Sequence, residues 1–298
     1  MSDAQAAEIW TVAKLLQWTR DWLTKQGSAS PRLDGELLLA HVLKTDRLHL
    51  FLGFDQPVQG EELADYKALI KRRAKLEPVA YILGKKAFFD LDFAVDPHVL
   101  VPRPETESLV DLAVAFVDDP ASPAGAVLDL CTGSGCVAIS LADHLQKKQV
   151  ERRVVASDLS QAALDVAQRN AKSINVAVEF RQGNLWQPFS TAEKFGAIVS
   201  NPPYVRSGDI AKLDVDVRHW EPRLALDGGA DGSDLLRLIV DRAAEFLVPG
   251  GLLAVELGSR GQADALIEYA EKRSLGTGLP QAVLGGPTHT VRWLRPDN

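Results

Sequence analysis

Up to about residue 78 the apolar positions recur at helical spacing. Ile9, Val12, Leu15, Leu16, Thr19 and Leu23 share one face, and Gly27 ends that run. Ser30 followed by Pro31 reads as an N-cap with a first-turn proline. Leu33, Leu37, Leu38, Val42 and Leu43 make the next stripe. A third helix is expected from 60 to 77, with Leu63, Tyr66, Leu69, Ile70 and Arg73 on related faces. No strand pattern interrupts this stretch, so 1–78 reads as a small helical domain.

The pattern changes at Pro78. Residues 79–83 read as one strand and 87–95 as a second around the turn Gly84-Lys85-Lys86, which predicts a β-hairpin linker over 79–98. In the second run Phe89, Leu91, Phe93 and Val95 alternate. An extended stretch, Leu100-Val101-Pro102-Arg103-Pro104, follows. Beyond it, helical stretches alternate with strand candidates at 126–130, 153–157, 177–181, 197–200, 252–256, 281–284 and 290–294. Leu109, Leu112 and Phe116 share a face of the first of these helices. Such alternation predicts an α/β domain over 99–298, its mostly parallel sheet covered on both faces. The connection from Tyr204 through Asp231 is long and polar, and long connections in compact domains are often functional.

Composition narrows the reading. A chain of 298 residues exceeds one typical core, in accord with two domains. The formal net charge of -7 offers no overall basic surface, so no stable nucleic-acid partner is expected. No apolar run approaches the roughly 20 residues that span a bilayer. Residues 1–8 are polar, unlike a secretion signal. Cys131 and Cys136 cannot make a four-ligand metal site alone, so no metal is expected. These features predict a cytoplasmic protein.

Three segments carry chemistry. In the first, an apolar strand, Val127-Leu128-Asp129-Leu130, runs into Cys131-Thr132-Gly133-Ser134-Gly135 and then a helix. Glycines there allow a tight turn and close approach of a ligand at the strand's carboxyl end. The segment is neither GxGxxG nor a P-loop, and a bare βα turn would share its pattern. In the second, Val154-Val155-Ala156-Ser157-Asp158, a strand ends in an acid that can accept both ribose hydroxyls of a nucleoside or cap the next helix.

The third segment, Ile198-Val199-Ser200-Asn201-Pro202-Pro203-Tyr204, ends a strand in a stiff loop. Two prolines remove two donors and fix two φ angles. Asn201 Oδ1 and the Pro202 carbonyl can hold the two hydrogens of a planar NH2 group. That concentrates electron density on its nitrogen. Tyr204 can stack on the flat group. Such a site works by position and electrostatics, without an enzyme nucleophile. A proline turn that only caps the strand is the bland reading.

In this order the three segments resemble class I amino-methyltransferases, and more narrowly the HemK/PrmC family of release factor glutamine methyltransferases. Glu77-Pro78-Val79-Ala80-Tyr81-Ile82-Leu83-Gly84, Leu100-Val101-Pro102-Arg103-Pro104-Glu105-Thr106-Glu107 and Glu221-Pro222-Arg223-Leu224-Ala225-Leu226 strengthen the resemblance, which runs from about residue 30 to about 258. It implies a Rossmann-like seven-stranded class I methyltransferase domain behind a helical substrate-docking domain and a hairpin. It also implies S-adenosylmethionine as cofactor, S-adenosylhomocysteine as product, and methylation of the glutamine in the Gly-Gly-Gln loop of peptide chain release factors. The protein is expected to act as a monomer.

Carried over by motif, Cys131, Thr132, Gly133, Ser134, Gly135 and Asp158 hold the cofactor, with Asn184 and Leu185 beside its adenine. Asn201, Pro202, Pro203 and Tyr204 bind glutamine, with Asn201 also near the cofactor. Arg103, Glu105 and Glu107 form part of the pocket wall. Cys131 and Asn184 depart from a common glycine and a common aspartate, and the run 285–289 does not match the family's ending. The same motifs suit a glutamine methyltransferase of a large-subunit ribosomal protein, or a nucleic-acid amino-methyltransferase. The latter needs a basic groove and base-flipping apparatus. A non-catalytic scaffold leaves Asn201-Pro202-Pro203-Tyr204 without a purpose. Lys71, Arg72, Arg73 and Lys75 read as a solvated helix face or a surface for an acidic partner.

Overall fold

The computed structural model describes residues 9–272, 281–284 and 289–295. Residues 1–8 and most of the run 285–289 lie outside them. The chain divides into two compact units: 1–84 with 215–220, and 85–214 with 221–298.

The first unit is helical: α1 (Val12–Lys25), α2 (Pro31–Val42), α3 (Arg47–Leu52), α4 (Gly60–Arg73) and α5 (Val79–Leu83). Leu15, Leu23, Leu38, Leu39, Tyr66 and Ile70 form its core. Two corrections arise here. Residues 79–83 form a helix, not a strand, because the Pro78 carbonyl accepts from both Tyr81 N and Ile82 N and starts a helical turn. The basic run on α4 is not simply solvated. Arg73 is buried, and its Nε donates to Asp34 Oδ2 at 2.6 Å, while Arg72 pairs with Glu77. Two of its four cations therefore hold the unit together.

In the second unit β1 (Lys85–Phe88) and β2 (Leu91–Ala94) make the hairpin, whose turn falls at 89–90 rather than 84–86. A 3₁₀ turn, Pro104–Thr106, leads into α6 (Glu107–Val117). Then follow β3 (Ala126–Leu130), α7 (Cys136–Lys147), β4 (Val154–Asp158), α8 (Gln161–Ile174), β5 (Glu179–Gln182) and β6 (Phe195–Ser200). The short helix α9 (Val215–Trp220) belongs to the first unit. Last come α10 (Asp234–Phe246), β7 (Leu247–Leu257), α11 (Arg260–Lys272), β8 (Gln281–Leu284) and β9 (His289–Leu294).

The sheet order is β5-β4-β3-β6-β7-β9-β8, parallel from β5 to β7, with β9 antiparallel to both its neighbours. Alternate side chains feed two cores. Leu128, Ile198, Leu253 and Val255 pack on one face with α10 and α11. Val127, Val199, Leu252 and Ala254 pack on the other with α6 and α7. The chain runs outward from β3 to β4 and returns to β6 on β3's other side. The strand order reverses there, so the carboxyl ends of β3 and β6 frame the crevice where open α/β sheets bind ligands. No helix among the described residues is long and apolar enough to cross a membrane.

Candidate active site

A cavity of about 670 Å³ opens at that reversal. Cys131, Thr132, Gly133 and Ser134 after β3, Asp158 at the end of β4, and Asn201 after β6 all line it. Gly133 sits at φ +55, and a Cβ there would meet no protein atom within 4 Å. Its backbone thus faces open space at a position where a side chain would be both strained and in a ligand's way. Cys131 holds φ +60, so the turn keeps the left-handed geometry that suits glycine even with a thiol on it. Burial pushes the Cys131 and Cys136 thiols up, so neither is an available thiolate at neutral pH. Gly135 lies at the N-cap of α7, behind the lining residues.

Asp158 organises the cradle. Its Oδ2 accepts from Gly133 N at 2.9 Å and its Oδ1 from Ser160 N at 2.9 Å. Each carboxylate oxygen can accept more than one hydrogen bond, so capacity remains for hydroxyls in the cavity. Burial pushes its pKa up, and the backbone donors of Ser160 and Gly133 pull it back. The cap of α8 is Ser160, whose hydroxyl accepts from Ala163 N at 3.2 Å, which leaves Asp158 to the loop and the cavity. Asn184 and Leu185 line the same end. A two-hydroxyl nucleoside with a flat base fits this donor set.

Asn201 stands across the cavity. Its Nδ2 donates to Thr106 Oγ1 at 3.0 Å. Arg103 also lines the cavity, and its Nη2 donates to Glu221 Oε1 at 2.5 Å. Glu221 is buried, and its Oε2 accepts from Val101 N at 3.3 Å, so this pair fixes the wall.

The other predicted residues are placed differently. Pro203 lines the cavity but Pro202 is buried off it. Of the two acceptors expected at the motif's start, Asn201 is the one at the surface of the cavity. Tyr204 does not line it, so its ring is not a stacking face there. The ring packs beside Gly258 and the core, and its phenol donates to Glu256 Oε1 at 3.3 Å. Glu107 is not wall either: its Oε1 accepts from Phe89 N at 2.8 Å and holds the hairpin turn. Glu105 is also off the lining.

The loop carrying Tyr204 is clamped by groups that motif reading passed over. Gln262 on α11 donates from Nε2 to Tyr204 O at 3.1 Å and Gly232 O at 2.8 Å, and its Oε1 accepts from Gly258 N at 3.0 Å. At Gly232, φ +78, a Cβ would lie 2.4 Å from Tyr204 O. The glycine is what lets this loop close on the motif. The long polar connection is pinned to itself, with Val205 N donating to Leu226 O at 2.9 Å and Gly228 N to Val205 O at 2.8 Å. Two buried carboxylates were also missed. Asp129 accepts from Thr132 Oγ1 at 2.7 Å and Ala138 N at 3.2 Å, and burial pushes its pKa up to about 7. Glu256, on β7, is fully buried. Each is an acid inside an apolar strand run, which was the available signal.

Residues 14–84 match the family described as PrmC N-terminal domain, and 111–217 match the Methyltransferase small domain family. A release factor glutamine methyltransferase of Geobacter sulfurreducens is 46% identical over 260 residues, covering 87% of this chain and 88% of that protein. One from Rhodopirellula baltica is 39% identical over 83% of this chain and 84% of its own length. Among solved structures, a methyltransferase from Pyrococcus furiosus superposes with a TM-score of 0.50 at 19% identity, over 78% of this chain and 99% of that one, which speaks to the fold.

Proposed function

Since the chain belongs to the release factor glutamine methyltransferase family, we propose that it transfers a methyl group from S-adenosylmethionine to the side-chain amide nitrogen of a glutamine in a peptide chain release factor, that of the Gly-Gly-Gln loop. The observation that carries this reading is that Asn201, with its amide held by Thr106, shares one cavity with the Gly133–Asp158 cradle. The reaction is a transferase reaction with no metal in it. Among the described residues the cavity is lined by the second unit, and the role of the helical unit in this reading is to dock the protein that carries the glutamine.

When bound, S-adenosylmethionine supplies an electrophilic methyl group on a sulfonium. Asp158 would accept its ribose hydroxyls, the Thr132 to Gly135 turn would let it approach the backbone, and Asn184 and Leu185 would border its base. An amide nitrogen is a poor nucleophile because its lone pair is spread over the carbonyl. Asn201 Oδ1 takes one hydrogen of the acceptor NH2 and orients the nitrogen, so alignment and a fixed dipole replace a base. The Arg103–Glu221 pair gives the acceptor side a rigid wall. With no base in the motif, the surplus proton passes to solvent during or after transfer.

Substrate choice is tested by offering purified protein and labelled S-adenosylmethionine a release factor, a large-subunit ribosomal protein and single-stranded DNA and RNA in parallel. Label enters the release factor alone, and a release factor whose loop glutamine is replaced by alanine stays unlabelled. Faster labelling of any other substrate overturns the assignment.

A further inference from the structure

Behind Asn201, out of the cavity, lies a buried carboxylate that the reaction as described does not use. Ser200 and Val255 are register partners on β6 and β7, so Asn201 and Glu256 follow side by side at the carboxyl end of the sheet. Glu256 is 0% exposed. Its Oε1 accepts from the Tyr204 phenol at 3.3 Å, and its Oε2 has no hydrogen-bond partner. An unpaired buried acceptor is costly, more so when charged, so such an atom calls for a donor. The Thr106 hydroxyl, 2% exposed and already accepting from Asn201 Nδ2, and the Asn201 amide both lie near enough to this carboxyl group to pull its pKa down.

The two ends of a side-chain amide have nearly the same shape, so the surrounding network decides which end faces the cavity. A carboxylate only accepts. A Thr106 hydroxyl hydrogen turned toward it leaves the Thr106 oxygen to accept from Asn201 Nδ2, the contact present at 3.0 Å. Asn201 Oδ1 is then the end left for the cavity. A protonated Glu256 carries a donor of its own and lifts that constraint. Thr106 can then donate to Asn201, and the amide can present its NH2 to a substrate NH2, donor against donor.

We propose that Glu256 is a positioning residue that, through Thr106, keeps Asn201 Oδ1 aimed at the acceptor NH2. This rests on the reading of Asn201 as the acceptor of the substrate amide. Tyr204 braces the carboxylate from the other side, which gives its phenol a role as an anchor. Burial pushes the Glu256 pKa up to about 7; Thr106, Tyr204 and Asn201 pull it back and the Glu105 charge pushes it further. Other titratable groups in this neighbourhood are the Cys136 thiol on α7, which feels the charges of Glu256 and Asp129, Arg103, which acts on Tyr204, and His289 on β9, the register partner of Leu257. The arrangement therefore weakens as pH falls through about 7, where Glu256 takes up its proton.

The test is kcat against pH for wild type, Glu256→Gln, Thr106→Val and Thr106→Ser, with binding of S-adenosylhomocysteine followed by calorimetry. At pH 8 Glu256→Gln and Thr106→Val lose at least about tenfold in kcat, in line with loss of one preorganised polar contact. Both bind S-adenosylhomocysteine within twofold of wild type, and Thr106→Ser recovers most of the rate. The wild-type acid limb near pH 7 is absent in Glu256→Gln. A limb that survives unchanged in that variant belongs to another group, such as Asp129, and overturns the proposal. So does a kcat within twofold of wild type in Glu256→Gln, or equal rates for Thr106→Val and Thr106→Ser. Asn201→Ala run in parallel separates the two readings. If it is slow while Glu256→Gln is normal, only the role of Glu256 falls; if it is itself normal, the amide-acceptor reading falls with it.

Discussion

Asn201→Ala is expected to lower the single-turnover rate of glutamine methylation by about 10²–10³-fold at saturating cofactor, the usual cost of removing one preorganised polar contact to a reacting group. Asn201 is the acceptor of its motif that reaches the cavity, and its other amide end is occupied by Thr106 at 3.0 Å. Alanine removes the acceptor and leaves the Asp158 cradle as it was, so cofactor affinity should change little. Tyr204→Phe is a useful contrast. It keeps the ring that packs beside Gly258 and deletes only the phenol that donates to Glu256, so its loss should be smaller. The measurement is rapid-quench methylation of a release factor by the three proteins. An Asn201→Ala rate within a few-fold of wild type would reduce the motif to a structural turn.

The second large effect is on the ligand. Asp158→Ala should weaken S-adenosylhomocysteine binding by about 10- to 100-fold, because hydrogen bonds to a charged group are worth about 1.5–3 kcal/mol. The carboxylate also holds Gly133 N and Ser160 N, so alanine loosens the turn along with the hydroxyl contacts. Asp158→Asn keeps the shape but sets an NH2 against one of these backbone donors or the ribose, and should weaken binding too. Burial raises the Asp158 pKa, and the protonated group is the poorer acceptor, so wild-type affinity should fall on the acid side. Titration calorimetry over a pH series reads both effects. Affinity in Asp158→Ala within twofold of wild type would remove Asp158 from the cradle.

The central strands were legible because β3, β4 and β6 are short runs of mostly apolar residues, whereas β5, Glu179-Phe180-Arg181-Gln182, carries little such signal. The run at 126–130 is apolar and closed by a glycine turn, and it is β3 as expected. The run at 79–83 shows where such reading fails. Five apolar residues fit a strand or a buried helical turn equally well, and periodicity over so short a span cannot separate them. Hydrogen bonds to the Pro78 carbonyl settle the matter. At the site, glycine and proline positions could be read because they act through the backbone they shape. Tyr204 and Glu107 could not be placed that way. Whether Tyr204 turns to the cavity or to Glu256 depends on β7, which lies more than forty residues further on and pairs with β6 only in the folded sheet. Gln262 and Glu256 stayed hidden for the same reason: their partners are distant in sequence, and each looks locally like an ordinary helix or strand residue.

The most direct test is the chemical form of the transferred methyl. A release factor labelled by this protein with methyl-labelled S-adenosylmethionine is digested and mapped, and then hydrolysed in strong acid. Hydrolysis of an N-methylated glutamine side chain breaks the amide and releases the label as methylamine. One labelled peptide is expected, that of the Gly-Gly-Gln loop, with the label recovered as methylamine. Label that survives hydrolysis on a lysine, arginine or histidine side chain would contradict it.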